Sequence, residues 1–273
     1  MRRLNLITTL ISLPLLLQTA CGSMDDTSEL QSQHSSGIIV RSAAGTSPAS
    51  IQRAVDQFRA DLGGGVNNLN AVGTQDSGRR EINWDGVPAA RSAPNVFPGD
   101  TFLSRGILMG SSGVKLQVST NRDEAGQAEP LFGNLNPKFP NVFTVFSPEK
   151  IFAPANSLVT ELTFTVPGST TKATVNGFGS IFTGVELAMV SRIDYFDESN
   201  KWLHTEFVKP VPGKKKSLSF VGVSFKNGKK VGKVLITSGN LKLNSPLHES
   251  KRHDAVAMDD FIYGEPQKVS PRW

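Results

Sequence analysis

An all-β fold, a jelly-roll β-sandwich preceded by one short amphipathic helix and a flexible amino-terminal tether, is what the sequence predicts on three observations. From about Arg79 onward apolar and polar residues alternate with a period of two. Turn-forming Gly, Pro, Asn and Asp separate the alternating runs. Only residues 48–65 carry apolar side chains at helical spacing.

The segments follow in chain order. Arg2 and Arg3 precede an apolar run from Leu4 through Leu17, then Thr19-Ala20-Cys21-Gly22, the three regions of an export signal over residues 1–20. The run is shorter than the ~20 apolar residues of a membrane span. Cys21, the single cysteine of the chain, closes it, which excludes a disulfide framework and any CxxC zinc site. Its position resembles a bacterial lipobox in which Cys21 is lipidated, although Gln18 stands where such boxes favour Leu. Ordinary cleavage after Ala20 is the alternative; lipidation is preferred because an exported protein gains little from one unpaired thiol. The polar, low-complexity stretch over residues 21–47 reads as a tether.

The helix is expected at residues 48–65. Ser47 suits the N-cap and Pro48 the first turn, Ile51, Val55, Phe58 and Leu62 share one face, and Gly63-Gly64-Gly65 ends it. Its stripe is expected to pack on the domain that follows, over residues 79–266. There Val114–Val118, Leu158–Val166 and Ile193–Phe196 alternate as half-buried strands. Asn227-Gly228, between Val221, Val223, Phe225 and Val231, Val234, Ile236, reads as a β-hairpin turn. Around nine or ten strands with no helix between them favour two sheets burying one core.

Several motifs carry a family resemblance. Arg80-Glu81-Ile82-Asn83-Trp84-Asp85-Gly86-Val87-Pro88, Phe97-Pro98-Gly99-Asp100, Phe132-Gly133-Asn134-Leu135-Asn136, Val145-Phe146-Ser147-Pro148 and Met258 through Pro266 resemble an uncharacterised family of exported bacterial proteins. The likeness runs from about Arg79 to Pro266. It implies a jelly roll similar to carbohydrate-binding and galactose-binding-like domains, and no particular reaction.

Catalytic signatures are lacking. Ser147-Pro148-Glu149-Lys150 and Ser112-Gly113-Val114-Lys115 fit S-x-x-K by accident, without the partner motifs of a serine acylase. No G-x-S-x-G, H-E-x-x-H, Walker or EF-hand loop is present. An enzyme is therefore the less favoured reading. Asp85 follows the first strand and Asp259-Asp260 enters the last; as neighbours in a jelly roll these could share a structural calcium ion. The competing reading makes them strand-end residues bonded to backbone.

Trp202 and Tyr195 are candidates for a sugar platform, whereas Trp84 sits in an apolar pattern and reads as core. Eight Lys fall between Lys209 and Lys233 without one acid. Lys214, Lys215, Lys229 and Lys230 are read as one cationic edge for anionic polymer, or equally as solubility and edge protection. Without Arg2 and Arg3 the chain holds 27 basic against 24 acidic residues, a net +3 that argues against nucleic acid. The functional expectation is an exported, lipid-anchored module of the outer membrane or cell envelope, or a secreted one, binding glycan or anionic envelope polymer. A structural or adhesion protein and an envelope hydrolase are the alternatives.

Overall fold

The computed structural model describes residues 37–110, 113–121, 129–228 and 230–269; the expected export signal of residues 1–20, Cys21 and Lys229 lie outside them. In chain order the elements are β1 (Ile38–Gly45), α1 (Pro48–Asp61), β2 (Arg79–Ile82), β3 (Ile107–Met109), β4 (Leu116–Val118), β5 (Phe152–Pro154) and β6 (Val159–Phe164). They continue with β7 (Ala173–Thr174), β8 (Gly177–Thr183), β9 (Arg192–Phe196), β10 (Trp202–Phe207), β11 (Leu218–Phe225), β12 (Lys233–Thr237), β13 (Ala257–Gly264) and β14 (Gln267–Lys268). One sheet runs β1-β11-β8-β13-β5-β4, with β2 also on β13; the second runs β10-β9-β12-β6-β3.

The pairing is that of a rolled hairpin. Taking β2, β6, β8, β9, β10, β11, β12 and β13 in order, the first strand pairs with the last, the second with the seventh, the third with the sixth and the fourth with the fifth, all antiparallel. Folding that ribbon over itself gives two four-stranded layers, β2-β13-β8-β11 and β6-β12-β9-β10, and so a jelly roll. Between them lies the main core, in which the Trp84 ring stacks on Phe152 at 4.4 Å and meets Phe261 edge-on at 5.1 Å. Its indole N–H donates to the Asp259 carbonyl at 2.9 Å, so the one polar atom of this buried ring is satisfied.

Two local expectations give way to tertiary pairing. The tether expected through residue 47 stops earlier, because Ile38–Gly45 lies against β11 from Ile38 opposite Phe225 to Gly45 opposite Leu218. Without it β11 would offer an open edge. The Asn227-Gly228 turn, with Gly228 at φ +79°, does not close a hairpin. It carries the chain across the core, since β11 has both edges taken by β1 and β8 while β12 pairs with β6 and β9. Eight consecutive buried residues in β11 and strict alternation in β12 record that difference.

β11 is buried on both faces because α1 covers the outside of the first sheet. Ile51, Val55, Phe58 and Leu62 pack there on Ile181, Leu218, Phe220 and Ile262. The seat for Phe58 is a glycine pair: Gly179 and Gly222 face each other across β8 and β11, and a Cβ on either would come within 2.8 Å of the Phe58 ring. Gly222→Val is therefore expected to lift the helix and cost about 1–3 kcal/mol. A lowered urea midpoint at an unchanged slope would confirm it.

The first and last strands are also locked chemically. Arg80 on β2 and Glu265 just beyond β13 form a two-pronged pair, Nε to Oε2 at 2.8 Å and Nη2 to Oε1 at 2.7 Å, with Arg80 wholly buried. The remaining guanidinium protons go to the carbonyls of Leu69, Ser104 and Gly73. Glu265 also accepts from the Asn68 amide and the Gln75 N–H. Removing one charge would leave its partner buried and alone, so Glu265→Gln is expected to cost roughly 3–5 kcal/mol. Replacing both residues with apolar ones should cost less, which a double-mutant cycle would measure.

Candidate functional site

The outer face of the second sheet gathers the surface groups best suited to a ligand. In β6, β9 and β12 every second residue is buried, so the intervening ones point away from the core. Register aligns them in rows. Leu108, Thr163, Lys233, Phe196 and Trp202 lie side by side across β3, β6, β12, β9 and β10. The next row is Glu161, Leu235, Asp194 and Thr205.

These side chains are held by one another. The Lys233 ammonium sits 4.8 Å from the Phe196 ring centre. Trp202 is 58% exposed, and its indole N–H donates to Thr205 Oγ1 at 3.0 Å. Thr205 in turn donates to Asp194 Oδ1 at 2.6 Å, and Arg192 Nε to Asp194 Oδ2 at 3.0 Å. The turn before β10 is set by Asp197 Oδ1, which accepts from the Ser199 and Lys201 N–H groups, and by Asn200 at φ +64°. Beside the row opens a groove of about 330 Å³, lined among others by Glu161, Thr163, Thr165, Lys172, Asn200 and Lys233. The Thr165 hydroxyl is buried in its wall without a hydrogen-bond partner.

Tyr195 does not belong to this surface. It is fully buried, its hydroxyl donates to the Phe178 carbonyl at 3.0 Å, and burial raises its pKa well above the ordinary tyrosine value. The alternation Ile193-Asp194-Tyr195-Phe196 itself puts Tyr195 on the buried face with Ile193 and turns Phe196 outward. Trp84 is core, and Trp202 is the exposed aromatic of the pair named with it.

The three aspartates converge on one loop. Between Met258 and Phe261 β13 carries a bulge against β8, at the junction where its other neighbour changes from β5 to β2. Asp259 Oδ2 accepts from the Phe146 N–H at 2.6 Å, and Ser147 Oγ lies 2.9 Å from both Asp259 Oδ1 and Asp260 Oδ1. Asp85 Oδ1 accepts from the Lys150 N–H at 3.0 Å, and the buried Lys150 ammonium donates to the Val87 carbonyl at 2.7 Å. The carboxylates thus bind backbone and hydroxyl groups of residues 146–150. Among the described residues no group of three or more His, Cys, Asp or Glu side chains is placed to hold a metal ion.

The lysines do not form one edge. Lys214, Lys215 and Lys216 precede β11, whereas Lys226 and Lys230 follow it. An eight-residue strand separates the two groups by roughly 26 Å. Lys226 turns its ammonium to the Asp61 carbonyl at the carboxyl end of α1.

Neither a protein-family model nor a curated protein matches the sequence. A solved structure similar in part is the tailspike protein 4 enzymatically active domain of bacteriophage CBA120, at 9% identity and a TM-score of 0.27. The match covers 66% of this chain and 22% of that one, so it spans about a fifth of the phage protein's length.

Several carboxyls titrate late because they are buried. Burial holds Asp259 well above the carboxylate range, with the Asp260 charge adding to it, and pushes Asp260 up to about 6. Two further carboxyls missed in the sequence behave alike: burial brings Asp254 to about 6 and Glu249 to about 7. A carboxyl easier to protonate in the folded chain stabilises the fold fully below its ordinary pKa, and that contribution is lost as pH rises through the folded value. Melting temperature is therefore expected to fall between about pH 4 and pH 7. The Asp259 and Asp260 pair contributes to this jointly, and Asp260→Asn should flatten the profile measured by calorimetry.

Proposed function

We propose that the protein is a carbohydrate-binding module whose ligand lies across the outer face of the second sheet. The carrying observation is Trp202, exposed for more than half its surface yet fixed in orientation by the Thr205, Asp194 and Arg192 chain. A sugar ring presents an apolar face that stacks on such an indole and a rim of hydroxyls that takes up polar neighbours. Lys233 in the same row, Glu161 in the next and the groove beside them supply donors and acceptors.

Charge favours a neutral or weakly charged glycan over a polyanion. Arg192 pairs with Asp194, Lys233 stands over Phe196, and Glu161, Asp197 and Glu198 border the groove. Opposed charges at this spacing leave little net field, and Lys214 and Lys215 stand at the other end of β11 from Lys230. A glycosidase reading needs two carboxyl groups flanking an open cleft. The Asp259 and Asp260 pair is buried and engaged by Ser147, which favours binding over hydrolysis. Export with lipidation at Cys21 would bring the module to envelope glycans, as the amino-terminal sequence suggests.

Screening the full chain on a glycan array, followed by affinity electrophoresis with the best ligand, tests this. Trp202→Ala should weaken binding at least tenfold, about 1.4 kcal/mol, while Lys214→Ser with Lys215→Ser should leave it unchanged. Equal binding by the Trp202 variant would sink the proposal.

A further inference from the structure

We propose that the end of the sandwich at which the described chain begins rests on a lipid bilayer, with the loop of residues 66–72 touching the membrane. The inference is independent of the glycan reading.

Register defines this end. Ile38 lies opposite Phe225, Ser224 opposite Gly177, Phe178 opposite Tyr263 and Gly264 opposite Arg79. Gly37, the loop that leads into Arg79 and the turn after Phe225 therefore share one end of the first sheet. On the loop Val66, Leu69 and Val72 are 60%, 53% and 78% exposed. Single exposed aliphatics are ordinary surface, but here three fall within seven residues of one loop.

Their exposure is imposed by the fold. The Arg80 guanidinium holds the carbonyls of Leu69 and Gly73, Arg79 N–H donates to the Val66 carbonyl, and Asn68 is bonded to Glu265 and Ser77. Leu69 itself is kept at φ +47°, a conformation uncommon for a branched side chain. A loop anchored on the buried ion pair cannot fold its aliphatic side chains back into the core.

The occupant follows from what precedes Gly37. Residues 1–36 contain the apolar run Leu4–Leu17 and Cys21, both suited to a membrane, and the fifteen residues 22–36 reach at most ~50 Å when fully extended. An attachment at Cys21 would keep the module within that reach of the bilayer, and the chain enters the described fold at the end carrying Gly37. Lys172, Lys226, Lys230 and Lys268 stand at this end beside Asp76, Asp197 and Glu198, so electrostatic attraction to anionic head groups is mild. Aliphatic insertion at the head-group boundary carries the contact.

The test uses the full chain with Cys21→Ser and one new cysteine bearing an environment-sensitive fluorophore, on equimolar phosphatidylcholine and phosphatidylglycerol vesicles. A label at Leu69→Cys should shift to the blue and be quenched by spin-labelled lipid tails, and Val66→Ser with Val72→Ser should reduce both effects at least twofold. The same label at Lys214→Cys, at the opposite end of β11, should stay in water. Equal quenching of the two labels by aqueous iodide would overturn the proposal. So would a blue shift at Leu69→Cys that grows with protein concentration without vesicles, since the patch would then meet a second copy of the chain.

Discussion

The buried pair between Arg80 and Glu265 is the constraint from which the rest of the architecture hangs. A jelly roll is a rolled hairpin, and its open ends are the first and last strands of the ribbon. Here one strand supplies the guanidinium and the chain leaving the other supplies the carboxylate, each prong under 3 Å. Two ions out of water are tolerated only when every proton and lone pair finds a partner. The carbonyls of Leu69, Gly73 and Ser104 and the amides of Asn68 and Gln75 meet that demand, and in doing so they shape the loop before β2. Closure of the fold and the form of its exposed loop are thus one electrostatic problem.

A second polar knot sits further along β13. The bulge at Asp259-Asp260 frees two side chains at the place where the neighbouring strand changes, and residues 146–150 are hung on them. A hydroxyl has one proton to give, so Ser147 serves the two carboxyl groups best when one of them is protonated and donates in return. Burial makes that protonation favourable and ties the knot to pH. Three segments far apart in the chain meet here, through Asp85, Ser147 and Asp259 with its neighbour.

The two sheets are dressed differently, and this divides the labour of the surface. The first is covered on its outside by α1, seated on Gly179 and Gly222, and has no such face left for a ligand. The second keeps its outer rows free, with Trp202 on the edge strand β10. A ligand on that face and a bilayer at the end bearing Gly37 would meet at a shared border, where Lys172, Asp197 and Glu198 line the groove.

The sequence by itself determined the fold class, the helix and its packing face, Trp84 as core and the alternation of β6 and β9. Each of these rests on local periodicity and on turn chemistry read within a few residues. It also held the outward placement of Phe196, though not its row of neighbours. Tertiary structure alone decided that Ile38–Gly45 is a strand, that the Asn227-Gly228 turn crosses between sheets, and that the lysines flanking β11 stand apart. It also decided that Arg80 meets Glu265 across 185 positions of chain. Which edges pair, and which charges meet, depends on register between strands far apart in sequence, and a local pattern contains no term for that distance.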